Sequence, residues 1–526
     1  MAESYLQQLP TAVNLNPSTF YATSTKPSAV TNRHAEYNKH SRQWQRIRDA
    51  LAGSDAVKEA GEAYLPMLGG QSPSDYETYK CRAFWYGATA RTADGVTGAV
   101  FRKPPTIKVP KALESFLDDI TLTDVGFEQF AKLVYREVLN MGRGGILVDM
   151  VPEEEFSPDL KRPYFVLYET EQITNWRTMR RDGHTILAQV VLHEYDEEAA
   201  ADGFGIESVE QYRVLNLEHV PDERIPGKQN WVYTIQLYRK QKNVQGQYEW
   251  LPYGGKETPT RRGQALDSIP FYFSSPEGTA PAVKKSPLLD LADANFDHYR
   301  LMADYRHGLH FTGLPTAWVA GFPENSEFKI GSQTAWVSSD TNASAGFLEY
   351  TGQGLGAPET ALEKSEHLMA VLGARLLEQQ KRAAEAAETL VIRQAGEESV
   401  VVSIAKSVSR ALENALWRLA WWSGAVEDLS SGVGNKDVSV LLNTDIVEQQ
   451  IDATMLTALV SAWHGGAMSK QTLLYNLKQG EIIPDRVSVE EEIALIDSEG
   501  PVGGVENPPP LNGGQQNNMP PNQQAA

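Results

Sequence analysis

The sequence predicts an α+β fold. It comprises a mixed helix-and-sheet body, two long helices flanking a small β-rich module, and a small helical module near the end. Three observations carry this expectation. Residues 163–273 form a succession of short β-rich runs at regular spacing, separated by charged or glycine-containing turns. Two long helical patterns, 286–312 and 357–388, bracket a stretch of short strand-like runs, 313–356. Residues 1–32 and 501–526 are rich in small polar residues and proline without a sustained period, which predicts an extended arm and a tail that cannot bury a core.

Taken in order, Arg33 to Leu51 reads as helical, and so does Pro73 to Ala99, which opens on a Ser/Asp start and ends at the prolines of RKPP. Phe127 to Asn140 predicts a shorter helix, and MGRGGILVDM then reads as a glycine-marked helix end followed by a buried strand. The runs PYFVLYETEQITNWRT, TILAQVVLHEYDEE, EQYRVLNLEH, WVYTIQLYRK and YEWLPYGG predict an antiparallel meander that SIPFYFSS closes. The module at 313–356 offers three strand candidates, PTAWVAG, QTAWVSS and GFLEYTGQGLG. In the helix that follows, Leu362, Leu368, Leu372, Leu376 and Leu377 are expected on one side. TLVIRQAGEES interrupts it, and a further helix runs from Val400 to Trp422. The last ordered region predicts a strand and two short helices hinged at Gly465–Gly466.

The formal net charge is −20 over 526 residues, with 41% hydrophobic and 22% charged residues, an ordinary folded composition. That balance disfavours tight nucleic-acid binding by phosphate neutralisation, while leaving room for an acidic protein that lets DNA slide past. No run of about 18 apolar residues exists to span a membrane, and the N-terminal residues lack the basic and apolar blocks of a secretory signal. The single cysteine, Cys81, rules out an internal disulfide and is expected to be a buried thiol.

The stretch SPLLDLADANFDHYRLMADYRHGLHFTGLPTAWVAG holds the densest set of candidate side chains. His298, His307 and His310 are spaced by nine and three, which does not converge them on one metal. A metal-dependent hydrolase built on Asp293, Asp297 and His298 is the catalytic alternative. Asp290, Asp293, Asp297 and Asp304 form one stripe with Arg300 set inside it, placed for weak ion pairs to Asp297 and Asp304. Leu288, Ala292, Phe296, Tyr299 and Ala303 form a second, apolar stripe. The acidic stripe is either the solvated face of a strut or an acidic wall on a shared space. GRGG (142–145) and GQGLG (352–356) match neither nucleotide-binding glycine pattern, and GxSxG, HExxH, CxxC and DxDxDG are absent from the sequence. No catalytic residue, cofactor or metal site is therefore assigned. In 381–399, Arg382, Glu385, Glu388, Arg393, Gln394 and Glu397 are the polar groups of a projecting helix–loop junction.

Four extended segments, in order, carry a resemblance. They are AYLPMLGG to RKPP (63–105), the 286–321 stretch, LGARLLEQQKRAAEAAET (372–389) and SVVVSIAKSVSRALENALWRLAWW (399–422). Together they resemble the portal proteins of tailed bacteriophages, across residues 60–425. The resemblance implies an N-terminal arm (1–32), a wing (33–285), a first stem helix (286–312), a clip (313–356) and a second stem helix (357–382). A tunnel loop (383–399), a long helix returning to the wing (400–440), a crown (441–500) and a tail (501–526) would follow. It implies a ring, usually of twelve copies, at one capsid vertex of the virion, assembled in the host cytoplasm. Double-stranded DNA would pass through without sequence specificity. Terminase would dock first and a head–tail adaptor later, alongside major capsid and scaffold proteins, with no membrane. The Asp stripe with Arg300, and the six polar groups of the tunnel segment, become candidate channel-lining residues, with Arg382 and Arg393 touching phosphates. Another oligomeric virion or adaptor protein is the alternative within that class.

Overall fold

A computed structural model of the chain describes residues 29–151, 162–200, 202–221, 229–313, 316–323, 326–329, 335–348, 353–377, 399–427, 437–446, 453–479, 482–483 and 487–499. The chain divides into two compact units at 446/447.

The first unit opens with α1 (Ala35–Ala52) and α2 (Ser54–Glu59). The helical pattern expected from Pro73 to Ala99 is two helices, α3 (Pro73–Arg82) and α4 (Ala88–Val100). Ser72 caps α3, its hydroxyl accepting the Asp75 N–H, with Pro73 in the first turn. Helix α3 stops because the aromatic run after it has somewhere better to go. Ala83 turns to ψ 138° and Trp85 is buried against Phe296 and Tyr299, at ring distances of 5.1 and 5.8 Å. Strand β1 (Thr106–Lys108) precedes α5 (Phe127–Met141), which ends at Gly142 in the left-handed region at φ 79°. No larger residue fits there, since a Cβ would lie 2.6 Å from the Lys284 carbonyl oxygen.

Strand β2 (Gly144–Met150) follows and is buried nearly throughout, as GGILVDM predicts. It is the centre of a three-stranded antiparallel sheet, with β3 (Pro163–Tyr168) on one edge. The expected run PYFVLYETEQITNWRT is therefore split, because a 3₁₀ turn at Thr170–Gln172 hands the chain to β4 (Ile173–Arg181) in another sheet. Strands β4, β5 (His184–Ala199), β6 (Ile206–Pro221), β7 (Gln229–Lys242) and β8 (Tyr248–Glu257) form the expected meander, in sequence order. After the short pair β9 (Thr260–Arg261) and β10 (Gln264–Ala265), β11 (Phe271–Ser274) does not close that meander. It pairs with β2, Phe271 opposite Leu147, as the other edge of the three-stranded sheet.

Helix α6 (Leu289–Gly313) leads to an antiparallel hairpin of β12 (Thr316–Ala320) and β13 (Ser344–Leu348), and α7 (Gly356–Leu377) returns. The third strand expected at QTAWVSS is not formed over its described residues, 335–339; there the Trp336 indole N–H donates to the Lys329 carbonyl at 2.9 Å. Helix α8 (Val400–Trp422) has the expected bounds, with the Ser399 hydroxyl accepting the Val402 N–H at its start. Strand β14 (Ser439–Leu441) pairs with β1.

One apolar core joins the helices of this unit to the three-stranded sheet and the first strands of the five-stranded one. Helix α8 runs through it, with Val401, Ile404, Ala405, Val408, Ala411, Leu412, Ala415, Leu416 and Leu419 all fully buried. Burial of this kind, at about 25 cal/mol per Å², is the main term holding the helices and the three-stranded sheet together. A smaller cluster, Val191, Tyr212 and Val214 with Tyr238, Trp250 and Val30, lies on one face of the five-stranded sheet.

The second unit holds α9 (Ala453–His464) and α10 (Lys470–Gln479), joined through Gly465 and Gly466, and a third helix that was not expected, α11 (Val489–Glu499). Helix α11 starts with a reciprocal cap: the Ser488 hydroxyl accepts the Glu491 N–H, and the Glu491 carboxylate accepts the Ser488 N–H.

Candidate functional site

The feature that organises the candidate residues is the pair α6 and α7 with the β12–β13 hairpin between them. Gly308 of α6 lies against Leu355, just before α7, and His298 faces Glu366. Closer to the body both helices meet α4: Asn295 bonds Thr89, and Gly373 lies against Thr92. These pairs run in opposite directions along the two helices, so the helices are antiparallel and rooted on α4.

The root of α6 is held by its expected apolar stripe. Leu288, Ala292, Phe296, Tyr299 and Ala303 are all buried, and Phe296 stacks on Tyr64 at 4.2 Å. Asn295, which sequence reasoning missed, sits inside that stripe and is fully buried. Its carbonyl oxygen accepts the Thr89 N–H (3.2 Å) and hydroxyl (3.0 Å), and its amide donates to the Tyr86 carbonyl (2.7 Å). Helix α4 has no side-chain cap of its own, so Asn295 satisfies one of its orphan N–H groups from another element. An asparagine at an apolar-stripe position was the available signal.

The acidic stripe is on the surface, and each member has a local partner. Asp290 accepts from Lys285 at 2.6 Å, Asp293 lies 3.4 Å from Arg46, and Asp304 accepts the Tyr79 hydroxyl at 2.5 Å. Arg300 lies 3.9 Å from Asp297; the paired placement expected with Asp304 is taken by Tyr79 instead. Four carboxylates against the cations Lys285, Arg46 and Arg300 leave about one net negative charge on this row, so it is a mixed-charge face rather than a strongly repelling one. Arg382, Glu385, Glu388, Arg393, Gln394 and Glu397 lie outside the described residues.

The histidines do not join the aspartates. His298 is fully buried with its Nε2 3.4 Å from Glu366, and burial holds its imidazole below the ordinary pKa while the nearby carboxylate partly offsets this. His307 packs edge-on against Tyr79 and Phe311, and burial likewise lowers it. Among the described residues no group of three or more His, Cys, Asp or Glu side chains could hold a metal ion. The GRGG loop serves packing: a Cβ on Gly145 would strike the Phe271 ring and Ile173. Cys81, expected buried, is exposed near the end of α3. On α7, Leu362 and Leu376 are buried as expected but Leu368 is half-exposed, and Met369 takes the inward position.

Beyond Asp304 the apolar side chains change sides. Leu309 and Phe311 on α6 and Trp318 and Phe347 on the hairpin are between 43% and 52% exposed. No described helix is long and apolar enough to cross a membrane.

Residues 287–423, from the start of α6 to the end of α8, match a family model described as a domain of unknown function, DUF4055. Three solved structures are similar over most of the chain. The virion of a native gene transfer agent particle is 12% identical with a TM-score of 0.35, covering 80% of this chain and 98% of that one. The neck of an empty particle computed with C6 symmetry is 11% identical at 0.34, covering 81% and 99%. The neck of a native particle computed with C12 symmetry is 10% identical at 0.30, covering 80% and 98%. At these TM-scores the likeness assigns no residue a role. No curated protein matches the chain.

Proposed function

We propose that this chain is the subunit of a portal ring: a cyclic assembly at one vertex of a virion, forming the channel through which double-stranded DNA enters and leaves. The observation that carries the reading is the rooted helix–hairpin–helix projection, with its inner half packed on the body by Leu288 to Ala303 and its outer half carrying uncovered apolar side chains. The order of sequence segments that resembles phage portals supports it. In this reading 33–285 is the wing, α6 and α7 are the stem, the hairpin belongs to the clip, 383–399 is the tunnel loop and 441–500 the crown.

A ring of this kind repeats one heterologous interface until it closes. Its channel must not hold its cargo, because every neutralised phosphate adds affinity and salt-dependent drag. The near-balanced Asp290–Asp304 row suits that requirement: it offers DNA neither a cationic grip nor a large repulsive field. Arg382 and Arg393 would supply the sparse transient phosphate contacts. Terminase and then a head–tail adaptor would dock at the clip.

Negative-stain images of the purified chain test the reading. Closed rings with a central hole wide enough for duplex DNA are expected, and compact particles without a hole would overturn it. In a packaging assay, Arg393→Glu is expected to leave rings intact and lower DNA retention. Broken rings in that variant would make Arg393 a structural residue instead.

A further inference from the structure

The root of the five-stranded sheet holds a charge cluster that the portal reading does not use. The turn Thr170–Gln172 delivers the chain from the three-stranded sheet to β4. It is tied to the helical body by one set of side chains. Arg48 of α1 donates through Nη2 to both oxygens of Glu137 on α5, at 2.9 Å each. The same guanidinium donates to both oxygens of Glu171, at 3.0 and 2.8 Å, and lies 3.4 Å from Glu169. Glu137 also accepts the Thr170 N–H at 2.9 Å. Three carboxylates therefore share one guanidinium, and the Glu137 side chain is only 5% exposed.

Of the other charged and titratable groups around it, Arg143 adds a second positive charge that acts on Glu137 and Glu171 without a hydrogen bond to either. Arg143, fully buried at the start of β2, is engaged by the carbonyls of Thr170, Ile173 and Pro281 and lies over the Trp176 ring at 4.2 Å. Glu36 accepts the Val283 N–H, and the Tyr37 hydroxyl donates to the Glu171 carbonyl. His34 stacks on Trp176. On the far side of α5, Arg136 pairs with Asp94 of α4 at the surface. A buried carboxylate whose one hydrogen-bonded guanidinium also serves two other carboxylates is a group that binds a proton to shed charge.

We propose that Arg48, Glu137, Glu169 and Glu171 form a proton-operated clamp at the root of the sheet: Glu137, buried and sharing the Arg48 guanidinium with two other carboxylates, takes up a proton as the pH falls, and the sheet is seated more firmly on the body when it does. Burial, with the neighbouring Glu171 and Glu169, pushes the Glu137 carboxyl up to about 7 against the pull of Arg48 and the Thr170 N–H. A carboxyl raised in the folded state favours folding at low pH and loses that contribution as the pH rises through its folded value. The lowered histidines His34, His298 and His307 act with the opposite sign. The reading is therefore made on the difference between two chains.

The experiment compares melting temperatures of the full chain and Glu137→Gln between pH 5.5 and pH 8.5. The Gln variant is expected to gain on the wild type steadily as the pH rises, with the gap levelling off above pH 8. A gap that stays constant with pH overturns the clamp. If Glu137→Gln folds poorly, infrared titration of the wild type decides. A carboxyl carbonyl band that is present at pH 6, bleaches towards pH 8 and shifts in Arg48→Lys supports the proposal. A spectrum with no carboxyl band titrating across that range overturns it.

Discussion

The inner and outer halves of α6 are built from similar residues and end in different situations. From Leu288 to Ala303 the chain buries three leucines, two alanines, a phenylalanine and a tyrosine and plugs Asn295 into the start of α4. From Asp304 onwards the same helix exposes Leu309 and Phe311, and the hairpin it leads to exposes Trp318 and Phe347. A two-stranded hairpin has too little buried surface to be stable by itself, and apolar side chains grouped at a surface mark a contact. The inner half is thus explained by this chain alone, whereas the outer half makes sense as part of an assembly.

Substitutions can break that contrast. The largest effect is expected at the root, where Phe296→Ala removes a ring packed between Tyr64 and Trp85 and costs about 3–5 kcal/mol of unfolding free energy in denaturant titrations. Asn295→Ala leaves the Thr89 N–H and the Tyr86 carbonyl without partners and costs about 1–3 kcal/mol in the same titration. His298 sharpens the contrast through pH. Its folded value is depressed, so its contribution is present above the unfolded value of about 6.5 and lost as the pH falls through the folded one. His298→Gln should therefore reduce the drop in melting temperature between pH 7 and pH 5, whereas an unchanged drop would mean another group dominates. The smallest effect on the chain itself is expected in the outer half. Leu309→Ser with Trp318→Ser should change unfolding by no more than about 0.5 kcal/mol each while weakening self-association in sedimentation experiments.

The same contrast explains what was legible. The apolar stripe of α6 and the limits of α8 could be read because helical period and a serine cap are local signals. The meander was legible for the same reason, as alternation and turns are written within each run. What failed depended on distant partners. Strand β11 looks like the close of the meander until β2 is seen to lie between it and β3. The break between α3 and α4 exists because Trp85 has a pocket on α6, which no window around residue 85 reveals. Leu368 looked inward by spacing, but Met369 takes the core. Helix α11 could have been found, since Ser488 and Glu491 spell a capping box. For the acidic stripe, spacing located the carboxylates and Arg300 but not Lys285 and Arg46, which with Arg300 cancel most of their charge, nor Tyr79, the neutral hydroxyl that bonds Asp304.

Native mass spectrometry of the intact chain tests the central claim most directly. A closed, discrete oligomer of about twelve subunits is predicted, which the Leu309→Ser, Trp318→Ser variant dissociates without unfolding. A folded wild-type monomer that stays monomeric as its concentration is raised would contradict it, because the exposed outer half of α6 and its hairpin would then have nothing to meet.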